Sequence, residues 1–386
     1  LSDKIGDIPV KIAVPKETYP GEKRVPLIPS TVADLIKRGA EIDIESGMGI
    51  GSGYQDEDYK EAGAGIQHDR KTLISSADII LRLRFPSTEE IEWLKKDAIH
   101  ISHLDPFNQK SLINRFKEKQ ISAIAMELIP RTTKAQKMDA LSSQASLSGY
   151  VAVIIAADKL DKLFPMMMTP SGTIAPSKIF IIGAGVAGLQ AIATAKRLGA
   201  RVEAFDTRPA VQEQVQSLGA KFVNVDLGEI GETKDGYAKA LTDDQLEKQR
   251  QVMAKHCAQS DVVITTAQVF GKKAPVIVTN DMIKGMKPGS LIVDLAVESG
   301  GNVEGSKLGE EVDVGGVRII GFENLPGRVA IHASQMYSSN LGNLVGEFWD
   351  DENKTFRLDL EDEIIKGCLV THKGNIISET VKNIIK

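Results

Sequence analysis

The chain is short of cysteine, of aromatic residues and of any excess of positive charge. Cys257 and Cys368 are its two cysteines in 386 residues. They cannot build a disulfide framework, and neither lies at a metal-ligand spacing. Two buried, reduced thiols are the expectation. Lysine and arginine total 47 against 52 acidic residues, a formal net charge of -5. With no basic block to offset that balance, nothing attracts nucleic-acid phosphate, so nucleic acid is excluded as a partner. A charged-then-apolar signal pattern is missing from the N-terminus. The first residue is Leu1 rather than Met, which leaves room for the chain to belong to a longer one. Long hydrophobic runs are missing too. The most apolar stretch, Ile179–Ala195, is interrupted by Gln190 and three glycines, whereas a membrane span needs ~20 predominantly apolar residues. A soluble chain is therefore expected.

What is present is a hydrophobic content of 42%, enough for two domains of ordinary size. Strand-like runs alternate with helix-like runs, the pattern of parallel sheets built from βαβ units. In the first half the strands fall at Val10–Val14, Glu41–Glu45, Ile79–Leu83, Ile99–His103 and Ala123–Met126. A helix between the first two runs from an N-cap at Ser30 to a stop at Gly39. A long helix follows over Ser143–Leu160. The rhythm resumes with strands at Ile179–Ile182, Arg201–Asp206, Val262–Thr265, Leu291–Leu295 and Arg318–Gly321. A second long helix covers Ala333–Phe348. The tail, Thr355–Ile377, reads as a hairpin turning at Lys373–Asn375, with a short helix after it. The expected fold is α/β: two doubly wound, Rossmann-like domains with parallel sheets and a cleft between them. Residues 143–330 form the inserted dinucleotide-binding domain, and residues 1–142 with 331–386 form the other.

The strongest chemical signal is Gly183-Ala184-Gly185-Val186-Ala187-Gly188. An apolar strand leads into it, a helix follows and stops at Gly199, and a second strand ends at Asp206. The first glycine permits a tight turn, and the second lets a pyrophosphate approach the backbone. The third lets helix and strand pack closely, which leaves the helix N-terminus to hold phosphate. Asp206 would accept from the adenosine ribose hydroxyls and repel a 2′-phosphate, favouring NAD(H), although Arg208 nearby works against that preference. Gly47–Gly53 is also glycine-rich after a strand, but Asp56, Glu57 and Asp58 follow it, so it reads as a structural turn.

Other groups point to less. His100 and His103 lie three apart on a strand, facing opposite sides, and cannot share a metal. No metal site is expected. Met166–Met168 reads as core filling. The stretch Asp226–Leu241 lacks periodicity and reads as surface loop, or as a lid over the nucleotide that closes through Tyr237.

Pro15-Lys16-Glu17, Gly21-Glu22-Lys23-Arg24-Val25 and the pattern through Gly53 resemble both alanine dehydrogenase and the NAD(H)-binding domain of proton-translocating nicotinamide nucleotide transhydrogenase. Met126-Glu127-Leu128-Ile129-Pro130-Arg131, continuing through Ala135–Gln144 to Gly149-Tyr150, resembles the transhydrogenase signature. The resemblance implies that Arg131, Gln136, Asp139 and Ser142 contact the nicotinamide and its ribose. It also implies cofactor contacts at Gly183, Gly185, Val186, Gly188, Asp206, Thr207, Arg208, Gly236, Tyr237, Gln249 and Ala267. Alanine dehydrogenases carry a Lys-Val-Lys motif whose second lysine activates the keto acid. Here that strand reads Arg82-Leu83-Arg84, and the family's catalytic aspartate is replaced by Glu298. His103 and Arg24 persist. Oxidising an amino acid needs titratable groups at the reacting carbon. Hydride transfer between two nicotinamides moves no proton and needs orientation alone, with the carbons about 3–3.5 Å apart.

The resemblance implies an enzyme that uses NAD(H) and passes hydride to NADP(H) on a partner domain, while a membrane domain moves protons. It implies a homodimer, peripheral on the cytoplasmic face of a bacterial inner membrane or on the equivalent matrix or luminal side. Two other readings stand beside it, an NAD-dependent alanine dehydrogenase-like oxidoreductase and a non-enzymatic NAD-sensing module.

Overall fold

The structure is a computed structural model and describes residues 10–225 and 242–385. Two compact units divide the chain. Leu1–Gln144 joins Val329–Lys386 in the first, and Ala145–Arg328 forms the second.

The first unit is built on β1 (Lys11–Val14), β2 (Glu41–Glu45), β3 (Gly65–Gln67), β4 (Ile79–Leu81), β5 (Ile99–Ser102) and β6 (Ser122–Ala125). These strands are all parallel, in the spatial order β6-β5-β4-β1-β2-β3. Alternate residues feed opposite faces, as a two-residue period requires. Ile12, Val14, Ile79 and Leu81 enter one apolar core, while Ala13 and Ile80 enter the other. Burial on both faces accounts for the nearly continuous apolar runs of these strands.

Helix α1 (Pro29–Lys37) starts one residue before the expected cap at Ser30. Ile28 is the extended N-cap and Pro29 takes the first helical position, where a missing N–H costs nothing and φ is already set. The Ile28 N–H donates to the Ser338 hydroxyl at 3.0 Å. Gly47–Gly53 is indeed a structural turn. At the start of α2 (Asp56–Glu61), Asp56 accepts from the Gly47 N–H and the Ser46 hydroxyl, each at 2.7 Å. That carboxylate bars an anion. Helix α3 (Lys110–Glu118) brings Phe116 against His100, ring centroids 5.1 Å apart, whereas His103 meets Tyr337 at 5.4 Å. Phe116 and Tyr337 belong to different cores, so the two histidines face opposite sides of the sheet as expected.

Helix α4 (Ala140–Lys159) carries the chain into the second unit. Among the described residues it is the one helix long and apolar enough to cross a membrane by length and composition. Protein already covers much of it. A Cβ on its Gly149 would collide with the Ala187 carbonyl, so the helix lies against the next one at backbone distance. Residues 166–168 correct an expectation. Met167–Thr169 and Gly172–Ile174 form a two-stranded hairpin, and Met168 is 74% exposed. Pro165 and the tight Ser171-Gly172 turn project this segment as a hairpin, which leaves its methionines no core to fill.

The second unit contains β7 (Lys178–Ile182), β8 (Arg201–Phe205), β9 (Lys221–Phe222), β10 (Val262–Thr265), β11 (Leu291–Asp294), β12 (Glu311–Val314) and β13 (Val317–Ile320). Their order is β9-β8-β7-β10-β11-β13-β12, parallel apart from the β13–β12 pair. Helix α5 (Val186–Arg197) links β7 to β8, and α6 (Asp243–Gln259) precedes β10. After α7 (Ala330–Glu347), β14 (Leu369–His372) adds antiparallel to β6 and turns into β15 (Asn375–Ile376). The expected long hairpin over Thr355–Ile377 is therefore too large. Thr355–Phe356 pairs back on Trp349–Asp350, and Glu363–Cys368 is helical.

Candidate functional site

Connections leave β7 toward β8 and toward β10 on opposite sides, so the carboxyl ends of β7 and β10 flank a topological switch point. Open α/β sheets bind ligands there. Gly183 follows β7 with φ of +98°, in the left-handed region that a side chain resists. Gly185 is the extended N-cap of α5, which begins at Val186, three residues earlier than the periodicity suggests. A Cβ on Gly188 would overlap the Gly183 carbonyl, and one on Gly183 would sit 2.5 Å from the Thr266 hydroxyl. The turn is thus closed on itself and leaves the first N–H groups of α5 at the switch point. Those groups suit a phosphate.

Two side chains outside the glycine pattern hold this turn. The Thr266 hydroxyl donates to the Gly183 carbonyl at 3.0 Å. Asn302 accepts from the Ala267 N–H at 3.0 Å and donates to the Ala267 and Pro275 carbonyls, each at 2.8 Å. Asp294 in turn receives the Asn302 and Val303 N–H groups. Ala267 is therefore a fixed backbone position beside the phosphate turn, with its own N–H already used. Sequence spacing gives no sign of Asn302, which lies more than thirty residues from the residue it holds.

Asp206 lies where β8 ends. Its Oδ2 accepts from the Ala184 N–H at 2.7 Å and from Arg208 Nη2 at 3.0 Å. Its Oδ1 accepts from the Arg208 N–H at 2.8 Å and from Nε at 2.9 Å. Thr207 is half-buried between them. Gln249 is buried on α6, and its Oε1 has no hydrogen-bond partner among the described residues. It stands ten residues before the end of α6, so about 15 Å of helix separates it from the strand that follows. That puts it toward the carboxyl edge of the sheet, where a ligand donor would satisfy it. A nicotinamide dinucleotide fits these donors and this glycine cradle. Gly236 and Tyr237, with the expected lid, lie outside the described residues.

The other predicted group sits where the first unit leads into α4. Asp139 accepts from the Ser142 N–H at 2.9 Å and from its hydroxyl at 2.5 Å. This pairing satisfies an orphan donor of the first turn of α4 and fixes both side chains. Gln136 opens a short 3-10 turn, exposed, while Ala135 and Met138 beside it are buried anchors. Arg131 is exposed just after Pro130. Four polar groups thus stand within twelve residues on a segment pinned by apolar neighbours.

The first unit has a switch point of its own, between β1 and β4, and charged side chains of the chain fill it. Glu22 is bound by Arg24 through Nη2 at 2.7 Å and Nε at 2.8 Å, and by Arg84 Nε at 2.8 Å. Arg84 also stacks on Tyr19 at 4.0 Å, and Arg24 reaches Gln144 at 2.9 Å. Arg82 is buried, with Glu90 at 2.9 Å and Glu17 at 3.7 Å. His103 is 3.4 Å from Glu127. Arginine thus stands where an amino-acid dehydrogenase would present a lysine amine, and the Arg24 and Arg84 charges are met by Glu22. In the second unit, Glu298 accepts the Asn324 N–H at 2.9 Å.

The ion pairs of the first unit predict a pH dependence. Burial pushes the Glu22 carboxyl up, but its hydrogen bonds and charge contacts with Arg24 and Arg84 outweigh that and hold it at about 2. Glu90 is likewise held at about 2, where Arg82, the Ser87 N–H and Arg70 overcome burial. Folded values below the ordinary ~4.3 mean stability that is present above that range and lost as pH falls toward 2. Glu17 runs the other way, raised by burial, and offsets part of this. The urea midpoint is expected to fall between pH 5 and 2, and less steeply in Glu22→Gln. An identical slope in the variant would remove Glu22 from the account.

Comparison with known proteins agrees with this geometry. Residues 13–148 match the family described as alanine dehydrogenase/PNT, N-terminal domain, and residues 152–379 match its C-terminal domain. The separately encoded first portion of NAD(P) transhydrogenase subunit alpha from Rhodospirillum rubrum is 44% identical over 375 residues, covering 95% of this chain and 98% of its own. The crystal structure of transhydrogenase from Sinorhizobium meliloti superposes with a TM-score of 0.83 at 41% identity, covering 96% of this chain and 99% of that one. A structure of L-alanine dehydrogenase superposes at 0.80 with 25% identity, covering 97% and 99%. The phosphate turn, the acid after β8 and the Met126–Gln144 segment thus occur in a chain that belongs to the alanine dehydrogenase/PNT family, on its NAD(P) transhydrogenase side.

Proposed function

We propose that this chain is the NAD(H)-binding component of a proton-translocating NAD(P) transhydrogenase. It presents NADH to NADP+ held on a separate NADP(H)-binding domain, and a membrane domain couples the transfer to proton movement. When bound, the reduced nicotinamide supplies the hydride. The chain's own residues bind and orient. Gly183–Gly188 and the N-terminus of α5 receive the pyrophosphate, Asp206 and Arg208 serve the adenosine ribose side, and Gln249 and Ala267 complete that end. Arg131, Gln136, Asp139 and Ser142 orient the nicotinamide and its ribose.

The observation that carries this reading is the pinned polar segment Arg131–Ser142, which offers hydrogen bonds, together with a first-unit switch point whose strand carries arginine in place of lysine. Orientation is what transfer between two nicotinamides requires. An alanine dehydrogenase would need Arg24 and Arg84 open to a carboxylate and a base beside the reacting carbon, but Glu22 already occupies both arginines.

Asp206→Ala is expected to weaken NADH binding by ~1–3 kcal/mol through loss of charge-assisted hydrogen bonds, and to narrow the preference over NADPH. Fluorescence titration measures both, and unchanged NADH affinity would take Asp206 out of the site. The homodimer reading is supported by the Met167–Ile174 hairpin, whose methionines are exposed and suit a second copy of the chain. Met168→Glu is expected to shift the sedimentation coefficient toward a monomer. An unshifted dimer would place the interface elsewhere. The chain itself is proposed to be peripheral, on the cytoplasmic face of an inner membrane or its matrix or luminal equivalent.

A further inference from the structure

The Asp206 carboxylate is fully used. Two backbone N–H groups and two guanidinium N–H groups fill the roughly four lone-pair sites of a carboxylate. The backbone donors belong to the phosphate turn and to the chain after β8, so they are fixed by the fold. The guanidinium is on a flexible stem. A ribose diol can therefore reach Asp206 only where Arg208 now donates.

The guanidinium also lies beside the next anion a dinucleotide brings. Arg208 Nη2 is 3.9 Å from where a Cβ on Gly185 would be. Gly185 is the N-cap of α5, at which a pyrophosphate is received. We infer that Arg208 is an exchangeable counter-ion that shields Asp206 in the structure, leaves it for the ribose hydroxyls, and pairs with the pyrophosphate when a dinucleotide binds. This rests on the NAD(H) reading of the site and deepens it.

Opposite signs follow for two fragments of the same ligand. A ligand with ribose and no phosphate must displace the guanidinium and gains nothing from it. A diphosphate ligand displaces it and then uses it, through the bidentate geometry that suits arginine. A 2′-phosphate meets a shielded Asp206 as long as Arg208 is present.

The test is competition against NADH fluorescence with adenosine and with ADP, on wild type, Arg208→Gln and Arg208→Lys. In Arg208→Gln, ADP is expected to bind about 10-fold more weakly while adenosine binds as well as before or better. The ratio of NADH to NADPH affinity is expected to rise severalfold. Arg208→Lys keeps the charge and is expected to retain most of the preference for ADP over adenosine. Equal weakening of adenosine and ADP in Arg208→Gln would show that Arg208 only holds Asp206 in place, and would overturn the exchange. Absence of NADH binding by the wild type would instead overturn the NAD(H) reading, so the two failures are distinct.

Discussion

Gln136→Ala is expected to lower the rate of hydride transfer about 100-fold and to leave most NADH affinity in place. The glycine turn, Asp206 and Gln249 hold the adenosine and pyrophosphate end in the second unit, and none of them is touched. Gln136 is exposed on a turn whose neighbours Ala135 and Met138 are buried, so its loss leaves no core cavity. What is lost is orientation, and misplacing a reacting carbon by about 1 Å costs ~100-fold. Single-turnover kinetics with an NADP(H)-loaded partner domain, beside NADH titration, separate the two effects. Collapsed affinity with an unchanged transfer rate would make Gln136 an anchor and reverse the assigned roles.

Arg82→Ala is expected to destabilise the first unit severely. The side chain is buried, its partners Glu17 and Glu90 are buried, and Glu17 Oε2 accepts no hydrogen bond among the described residues. Removing one member of a buried pair leaves uncompensated charge, at a cost of about 3–5 kcal/mol. Domains hold about 5–15 kcal/mol in all. Glu90 retains Arg70 through its other oxygen, so Glu17 bears most of the loss. Adding Glu17→Gln to Arg82→Ala is therefore expected to recover part of the stability, although the Leu83 N–H that Glu17 accepts at 2.7 Å must keep a partner. Urea unfolding of the two single variants and the double closes this cycle. Additive losses would show that Glu17 and Arg82 do not act as a pair.

The second unit was readable from residues whose chemistry is local. A glycine with positive φ, a helix starting at the next turn and an acid closing the second strand all fall within twenty-four residues, and the structure places them together. The apolar runs of β7, β10 and β11 announced buried parallel strands for the same reason, since both faces are covered. Readings failed where a distant contact decides the outcome. Pro29 rather than Ser30 opens α1, and the donor on Ile28 is satisfied by Ser338, more than three hundred residues away. Met166–Met168 has the composition of core, yet a tight turn projects it from the surface. Strand β3 is short and borders the sheet with Gly65, too little pattern to register. Asn302, Thr266 and the Glu22–Arg24–Arg84 cluster act through long-range hydrogen bonds, and single-chain periodicity carries no record of them. The roles of Arg131, Gln136, Asp139 and Ser142 came from family resemblance, because polar residues on an irregular segment have no periodicity to read.

Mixing this chain with an NADP(H)-binding transhydrogenase domain and following hydride exchange from NADH tests the central claim most directly. The account predicts rapid exchange with the partner and no reduction of NAD+ by alanine in the chain alone. Alanine-dependent NADH formation without a partner would make it an amino-acid dehydrogenase. NADH binding with no exchange toward any such partner would leave an NAD-sensing module and contradict the account.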